Sequence, residues 1–164
     1  MANAPLIEWS DPNELLAQIT ETARGMIGAD GATFVLRDDN HCYYADESAI
    51  SPLWKGRRFP MKGCISGWVM LNRMPAVVPD IYYDTRIPTD AYRPTFVKSL
   101  AMVPVRRLDP IAAIGNYWAD FHEVSKQEVD ALQALADAVA NALDDEKLYS
   151  ESAHRSSRPS LPSD

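Results

Sequence analysis

The sequence has little cysteine, little glycine and no excess of positive charge. Only two of its 164 residues are cysteine, Cys42 and Cys64, too few for the disulfide framework of a small secreted domain. Its seven glycines form no run of the kind that cradles nucleotide phosphates. The formal net charge of −7 disfavours contact with a phosphate backbone. These absences argue against a disulfide-rich protein, a phosphate-loop nucleotidase and a nucleic-acid-binding protein.

Long hydrophobic runs are also missing. The longest apolar stretches, such as residues 111–114, fall far short of the ~20 residues that span a bilayer. Residues 1–12 lack the cationic start and apolar run of a signal peptide. We therefore expect a cytoplasmic protein with reduced thiols that does not enter a membrane. The three histidines show no metal-ligand spacing with the cysteines, and no nucleophile motif is present, so we expect neither a metal site nor catalytic residues.

What is present has the composition of one ordinary globular domain, 46% hydrophobic and 24% charged. A first helix is predicted from Asp11 as N-cap and Pro12 at the first helical position, and it ends at Gly28. The last helix begins at Ser125, with Glu128 completing a capping box.

Between these helices the pattern predicts short strands, a middle helix and an irregular connection. The predicted segments are strands at 32–36, 41–45, 57–59, 76–78, 96–105 and 111–119, a helix at 63–72, and an irregular connection at 80–95 that includes a short helix from Pro88 to Tyr92. Residues 46–54 show no period and are expected to form a loop with a short helical piece. Gly67 inside the middle helix costs about 1 kcal/mol relative to alanine. A close contact between helix and sheet would explain why it is tolerated.

The ends of the chain differ from this pattern. Residues 1–10 are expected to be an N-terminal lead and residues 11–149 the folded domain. Residues 150–164 are rich in serine and poor in apolar side chains, so they are expected to form a disordered tail.

The order of elements predicts an α+β fold in α/β/α layers. A central antiparallel sheet would carry the terminal helices on one face, with the middle helix and the 80–95 connection as a lid on the other. Because the second face is closed by a loop, a cavity can persist there.

Five segments, taken in order, resemble a known family. They are residues 64–69 (CISGWV), 77–82 (VVPDIY), 84–88 (DTRIP), 96–105 (FVKSLAMVPV) and 114–119 (IGNYWA). Together they are similar to the GAF domains of bacterial sensor proteins, most of all those attached to histidine kinases, over residues 13–143. The resemblance implies a sensory module in signal transduction that binds a small ligand and is not an enzyme. It names no cofactor or ligand.

The resemblance also places a binding site at the start of the middle helix. Free backbone N–H groups of Cys64, Ile65 and Ser66 would meet an anion or polar ligand there, beside Trp68. The lid would supply Asp80, Tyr82, Arg86 and Tyr92. Either Tyr117 or Trp118 would rise from the sheet floor, since neighbours on a strand face opposite ways. The alternative is that these aromatic side chains fill the core and no ligand binds.

The apolar positions of the last helix predict a partner. Val129, Leu132, Ala136, Val139 and Leu143 alternate by three and four, as in a coiled-coil seam. We therefore expect a homodimer through the first and last helices, with a histidine kinase or another output domain as the regulated partner. Two alternatives remain open: the helix only covers the sheet, or the domain is a structural dimerisation and kinase-interaction module without a ligand.

Two further functions within the family are less favoured. One GAF family reduces free methionine sulfoxide with cysteines, and Cys42 and Cys64 would form a redox couple if the fold brought them close. The cysteine pattern of that family is not evident here, and isolated cysteines are more often small buried hydrophobes. Asp80-Ile81-Tyr82 is similar to a motif of bilin photoreceptors. The Cys-His attachment pair is missing, because His41-Cys42 has the reverse order.

Overall fold

The chain folds around a six-stranded sheet in the order β3-β2-β1-β6-β5-β4, and every neighbouring pair is antiparallel. The structure, a computed structural model, describes residues 11–157 and the side chains of residues 11–144. The strands are β1 (Gly31–Asp38), β2 (His41–Ala49), β3 (Arg58–Pro60), β4 (Ala76–Val78), β5 (Ser99–Val105) and β6 (Ala112–Trp118). The predicted α+β fold with a central antiparallel sheet is confirmed.

Helices cover both faces of this sheet. Two long helices, α1 (Pro12–Met26) and α4 (Lys126–Ser157), lie on one face. The other face carries α2 (Ile65–Asn72), α3 (Thr89–Tyr92) and the 3₁₀ turns Met61–Gly63 and Ile81–Tyr83. Every residue of β5 and β6 is buried, because both faces of these central strands are covered.

The second strand is longer than the sequence indicates. β2 continues to Ala49, through residues expected to form a loop. The register of β1 against β2 shifts between Phe34 and Val35, where a bulge lets Asp46 pair with Phe34 and Tyr44 pair with Val35. A bulge adds a residue to one strand and breaks the alternation of inward and outward side chains. The prediction of a loop is wrong for residues 46–49, because the bulge interrupts the alternation of side chains that would have indicated a strand.

The glycine inside α2 has a different neighbour from the one expected. A Cβ atom on Gly67 would lie 1.7 Å from the carbonyl oxygen of Met61, in the preceding 3₁₀ turn. The close contact is therefore between the helix and this turn, and not between the helix and the sheet. Because the turn folds back directly over α2, it fixes where the helix begins.

The last helix runs past the predicted end of the domain. α4 is helical through residues 150–157, which were expected to belong to a disordered tail. No glycine or proline interrupts α4 between Lys126 and Ser157. The predicted lead at 1–10 and the remainder of the predicted tail at 158–164 lie outside the described residues. None of the helices in residues 11–157 is long and apolar enough to cross a membrane.

The start of α4 is held by the predicted capping box. The Ser125 hydroxyl accepts a hydrogen bond from the Glu128 N–H at 3.1 Å, and the Glu128 carboxylate accepts one from the Ser125 N–H at 2.9 Å. We expect Ser125→Ala to lower the free energy of unfolding by about 1 kcal/mol, measured by urea denaturation. Ser125→Asp retains an acceptor and should stay close to the parent. Equal losses in both variants would contradict a role for the cap.

Candidate functional site

A surface cleft of about 360 Å³ opens between the start of α2 and residues 85–88. Its walls combine charged, polar and apolar side chains, among them Lys62, Cys64, Trp68, Asn72, Arg86 and Ile87. Asn72 lies one helical turn after Trp68, and its side-chain amide donates to the Trp68 carbonyl at 2.8 Å. One face of α2 therefore forms one wall, and the segment before α3 forms the other.

Arg86 is held in a fixed orientation on this second wall. Its Nε donates to Asp84 Oδ1 at 2.9 Å, and its Nη2 donates to Asp84 Oδ2 at 2.6 Å. The guanidinium carbon lies 4.3 Å from the centre of the Trp68 ring. Hydrogen bonding from Arg86 lowers the pKa of the Asp84 carboxyl, so this ion pair persists at neutral pH. The stacked and paired guanidinium connects the two walls of the cleft.

The connection that carries Arg86 is tied down along its length. Asp80 Oδ1 accepts from the Tyr82 N–H at 3.0 Å and caps the 3₁₀ turn that follows. The Ile81 N–H donates to the Lys98 carbonyl at 3.0 Å, immediately before β5. Ile87 is buried in the core on the α2 side of the sheet. This lid is therefore anchored at both the sheet and the core.

Aromatic side chains fill the space between this connection and the sheet. The Trp54 ring lies 4.5 Å from the Tyr92 ring, 5.5 Å from the Tyr44 ring and 5.3 Å from the Tyr117 ring, centre to centre. Trp54 Nε1 donates to the Ala91 carbonyl at 2.9 Å. Burial raises the pKa of Tyr44 and of Tyr92 well above the usual range, so both remain neutral. The interior beneath the cleft is a packed aromatic core.

Two cysteines meet where the floor of the cleft joins this core. Cys42, on β2, is fully buried, and Cys64, the N-cap residue of α2, is 5% exposed and lines the cleft. Cys42 Sγ lies 3.5 Å from Met61 Sδ, and Cys64 Sγ lies 3.3 Å from Ser66 Oγ. The pairing of the cysteines was expected only if the fold brought them close. The fold does so.

The two thiols have opposite pKa shifts. Hydrogen bonding to Cys42, followed by contacts with the Ser66 hydroxyl and the Gly67 and Ser66 backbone, outweighs burial and lowers the pKa of Cys64 to about 6. The same pairing, together with burial, raises the pKa of Cys42 far above its usual range. The thiolate is therefore favoured at Cys64 over Cys42.

The family model of the GAF domain matches residues 10–144 of this chain. The chain belongs to the GAF domain family. A comparison with curated proteins by sequence finds no match.

Solved structures share this architecture at low sequence identity. The PixJ GAF domain of Thermosynechococcus elongatus, in its blue-light absorbing form, has a TM-score of 0.74 at 16% identity, over 90% of this chain and 96% of that one. Free methionine-R-sulfoxide reductase from Neisseria meningitidis, solved with its substrate, scores 0.73 at 16% identity, over 87% and 83%. The GAF-B domain of DevS from Mycobacterium smegmatis scores 0.69 at 15% identity, over 90% and 100%. These similarities establish the fold.

Three residues predicted for the ligand site of this GAF domain lie together on the cleft: Cys64, Trp68 and Arg86. Ile65 and Ser66 follow Cys64 but are fully buried behind it. The Ser66 hydroxyl is 3.1 Å from the Tyr44 hydroxyl, so it continues the polar network of the cleft into the core.

The other predicted residues lie outside the cleft lining. Tyr92 and Tyr117 belong to the aromatic core, where the Tyr117 hydroxyl is 2.8 Å from Thr33 Oγ1. Asp80 acts as a cap, and Tyr82 is 52% exposed. Trp118 lies away from this core, against Ala29 and Ala101, with its ring 4.5 Å from that of His122. Tyr117 lies in the core on the α2 side of the sheet, and Trp118 belongs to a separate small cluster.

Several cleft residues were not predicted, among them Lys62, Asn72 and Ile87. Asn72 had a usable signal, because it follows Trp68 by four residues and so shares its helix face. Lys62 and Ile87 had no such signal, because each lies in an irregular segment whose path cannot be predicted from the local sequence.

Proposed function

We propose that this GAF domain is a non-catalytic sensory module that binds a small anionic molecule in the cleft. The proposal rests on the Arg86 guanidinium, paired with Asp84 and stacked on Trp68, with the exposed Lys62 on the same cleft. A pre-oriented guanidinium loses little side-chain freedom when it binds a carboxylate or phosphate. The cleft volume of about 360 Å³ falls at the lower end of small-molecule sites.

The proposed response travels from the cleft to the helices on the opposite face. α2 contacts β5 and β6, and α4 packs against the same two strands from the other side. A ligand that binds two arrangements of α2 unequally would shift their populations and bias the packing of α1 and α4. We propose that these helices form a homodimer in the cytoplasm and regulate a histidine kinase or another output domain. At 32 residues, α4 is about 48 Å long, enough to extend well beyond the sheet.

One observation favours a second function, a structural interaction module without a ligand. The aromatic core fills the interior beneath the cleft, so a ligand would have to bind at the surface. In this alternative, α1 and α4 alone would carry the function, as a surface on which a partner docks.

A thermal-shift experiment separates the two functions. Purified protein is screened with small anions, nucleotides and amino acids, and any hit is repeated with Arg86→Ala. At a concentration one hundred times its Kd, a ligand should add about 2.7 kcal/mol of stability to the parent, and much less to the variant. Arg93→Ala is the matched control, because Arg93 is 69% exposed, pairs only weakly with Asp90 at 3.7 Å and lies off the cleft.

Two results would contradict ligand binding in the cleft. If no compound stabilises the parent, the structural module is the better description. If a compound stabilises Arg86→Ala as much as Arg93→Ala, the ligand binds elsewhere. Light scattering on the full chain tests the dimer separately, and a monomer would remove that part of the proposal.

A further inference from the structure

We propose that the anionic ligand of this domain is an elongated dianion, with two carboxylate or phosphate groups joined by an apolar spacer. One anionic group would lie against Arg86 in the cleft described above. The other would lie against Arg37 in a second cleft, with Lys62 between the two. This inference rests on the proposed function, because it specifies the chemical class of the molecule that the site binds.

The second cleft has a volume of about 360 Å³ and adjoins the first. It is lined by Arg37, Asn40, Pro60, Met61, Lys62 and Leu71, of which the last three also line the first cleft. Lys62 belongs to the 3₁₀ turn before α2, and Leu71 lies near the end of α2. A molecule longer than either cleft would therefore pass from one to the other along the shared side chains.

Main-chain hydrogen bonds fix the walls of the second cleft. The N–H of Arg37, on β1, donates to the Ile111 carbonyl at 2.9 Å. The Asn40 carbonyl accepts from the Met61 N–H at 2.7 Å, which ties the turn between β1 and β2 to the 3₁₀ turn that carries Lys62. Both cations therefore lie on backbone that is already ordered, so binding does not require the chain to pay for ordering it.

The charges around the two clefts are predominantly positive. Acidic residues outnumber basic ones in the chain, 23 to 16, yet the described residues that line the clefts include three cations and no carboxylate. Asp38, the neighbour of Arg37 on β1, pairs with Arg58 at 3.0 Å. None of the ion pairs within residues 11–144 involves Arg37 or Lys62. Both charges are therefore available to a ligand.

The charge of Arg86 is balanced by Asp84, but the guanidinium keeps a donor for a ligand. Its Nε and Nη2 donate to Asp84, and its Nη1 donates to no acceptor within the described residues. With Arg86 compensated in this way, Arg37 and Lys62 leave two uncompensated positive charges at the clefts. Such a surface is complementary to a dianion, and less so to a monoanion or a neutral molecule.

The surface between the outer cations contains apolar side chains. Met61 and Leu71 line both clefts, and Leu71 is 45% exposed. A hydrocarbon spacer that covers Leu71 removes apolar surface from water, which favours binding. Linking the two anionic groups also makes the second contact intramolecular, and this gain is largest when the spacer matches the span. Affinity should therefore pass through a maximum at one spacer length.

Isothermal titration calorimetry on the full, unaltered chain tests this inference. The probes are straight-chain α,ω-dicarboxylates from succinate to sebacate, monocarboxylates of the same chain lengths, and α,ω-alkane diphosphonates. At the best length, the Kd of the dicarboxylate or diphosphonate should be about tenfold lower than that of the matched monocarboxylate. Whichever of the two dianion series binds more tightly identifies the anionic group that the site prefers.

Arg37→Ala should abolish the advantage of the dianion. The ratio of the monocarboxylate Kd to the dianion Kd should fall from about ten to about one, in a variant that circular dichroism shows to be folded. Arg57→Ala is the matched control, because Arg57 is an exposed arginine that precedes β3, stacks on Phe59 and lines neither cleft. It should retain the ratio of the parent. A ratio near one in the parent, or an unchanged ratio in Arg37→Ala, would overturn the inference.

The same titrations distinguish failure of this inference from failure of the proposed function. Arg86→Ala should weaken binding of both the monocarboxylates and the dianions. If it weakens the monocarboxylates while dianions of every length bind no more tightly than they do, the inference is wrong and the anion-binding cleft stands. If neither kind of probe binds the parent, both the inference and the proposed function fail.

Discussion

Gly67→Ala is expected to lower the free energy of unfolding by about 3 kcal/mol. The added Cβ would lie 1.7 Å from the carbonyl oxygen of Met61 and 2.5 Å from its carbonyl carbon. Backbone atoms cannot rotate out of the way as a flexible side chain can, so either the 3₁₀ turn or α2 must move. Alanine gains about 1 kcal/mol of helix propensity over glycine, and the collision outweighs that gain. Urea denaturation followed by circular dichroism measures the difference.

Gly25→Ala is the matched control. Gly25 also lies in a helix, near the end of α1, and a Cβ atom there would meet nothing within 4 Å. This substitution should raise stability by about 0.5–1 kcal/mol through helix propensity and a less flexible unfolded chain. If both variants changed stability in the same direction, the contact with Met61 would not be the reason that glycine occupies position 67.

Glu47→Ala is expected to have a similar effect, a loss of about 3 kcal/mol. The Glu47 carboxylate accepts three backbone hydrogen bonds, each 2.8 Å long, from the N–H groups of Leu53, Trp54 and Lys55. Hydrogen bonds to a charged group contribute about 1.5–3 kcal/mol each, and water can replace the one at exposed Lys55. Without the carboxylate, the loop that places Trp54 in the core loses these hydrogen bonds, so the melting temperature should fall.

Two controls accompany this variant. Glu47→Gln retains one carbonyl oxygen and should lose an intermediate amount. Glu123→Ala removes an exposed carboxylate and should stay within about 0.5 kcal/mol of the parent. If Glu47→Ala behaved like Glu123→Ala, the three hydrogen bonds would not stabilise the loop.

The fold was predictable because its signals are local. β4 occupies the predicted residues 76–78, and α4 starts at the predicted cap, since a three-residue apolar run before a proline and a capping box can each be recognised without knowing the rest of the chain. The bulge between Phe34 and Val35 was not predictable in this way. The bulge depends on how the two strands pair. Because it interrupts the alternation along β2, residues 46–49 were predicted as a loop, and the hydrogen bonds of Glu47 to the following loop were not predicted.

The site was predictable only in part, for the same reason. Cys64, Trp68 and Arg86 come from segments that carry the family resemblance. The placement of Cys42 and Cys64 in one buried core depends on the register of β2 against β3 and on the turn that follows, and the residues around either cysteine do not indicate these. The number of aromatic residues likewise does not tell whether they line a cavity or fill it. Their packing around Trp54 decides that.

The complete burial of β5 and β6 determines how the sheet responds to force. With both faces covered, these strands lie in a close-packed interior of low compressibility. In the proposed response, a displacement of α2 would be passed through β5 and β6 to α4, which contacts the same two strands. The domain would then act as a rigid coupler, in which a contact at the rim of the cleft displaces the helices on the far face.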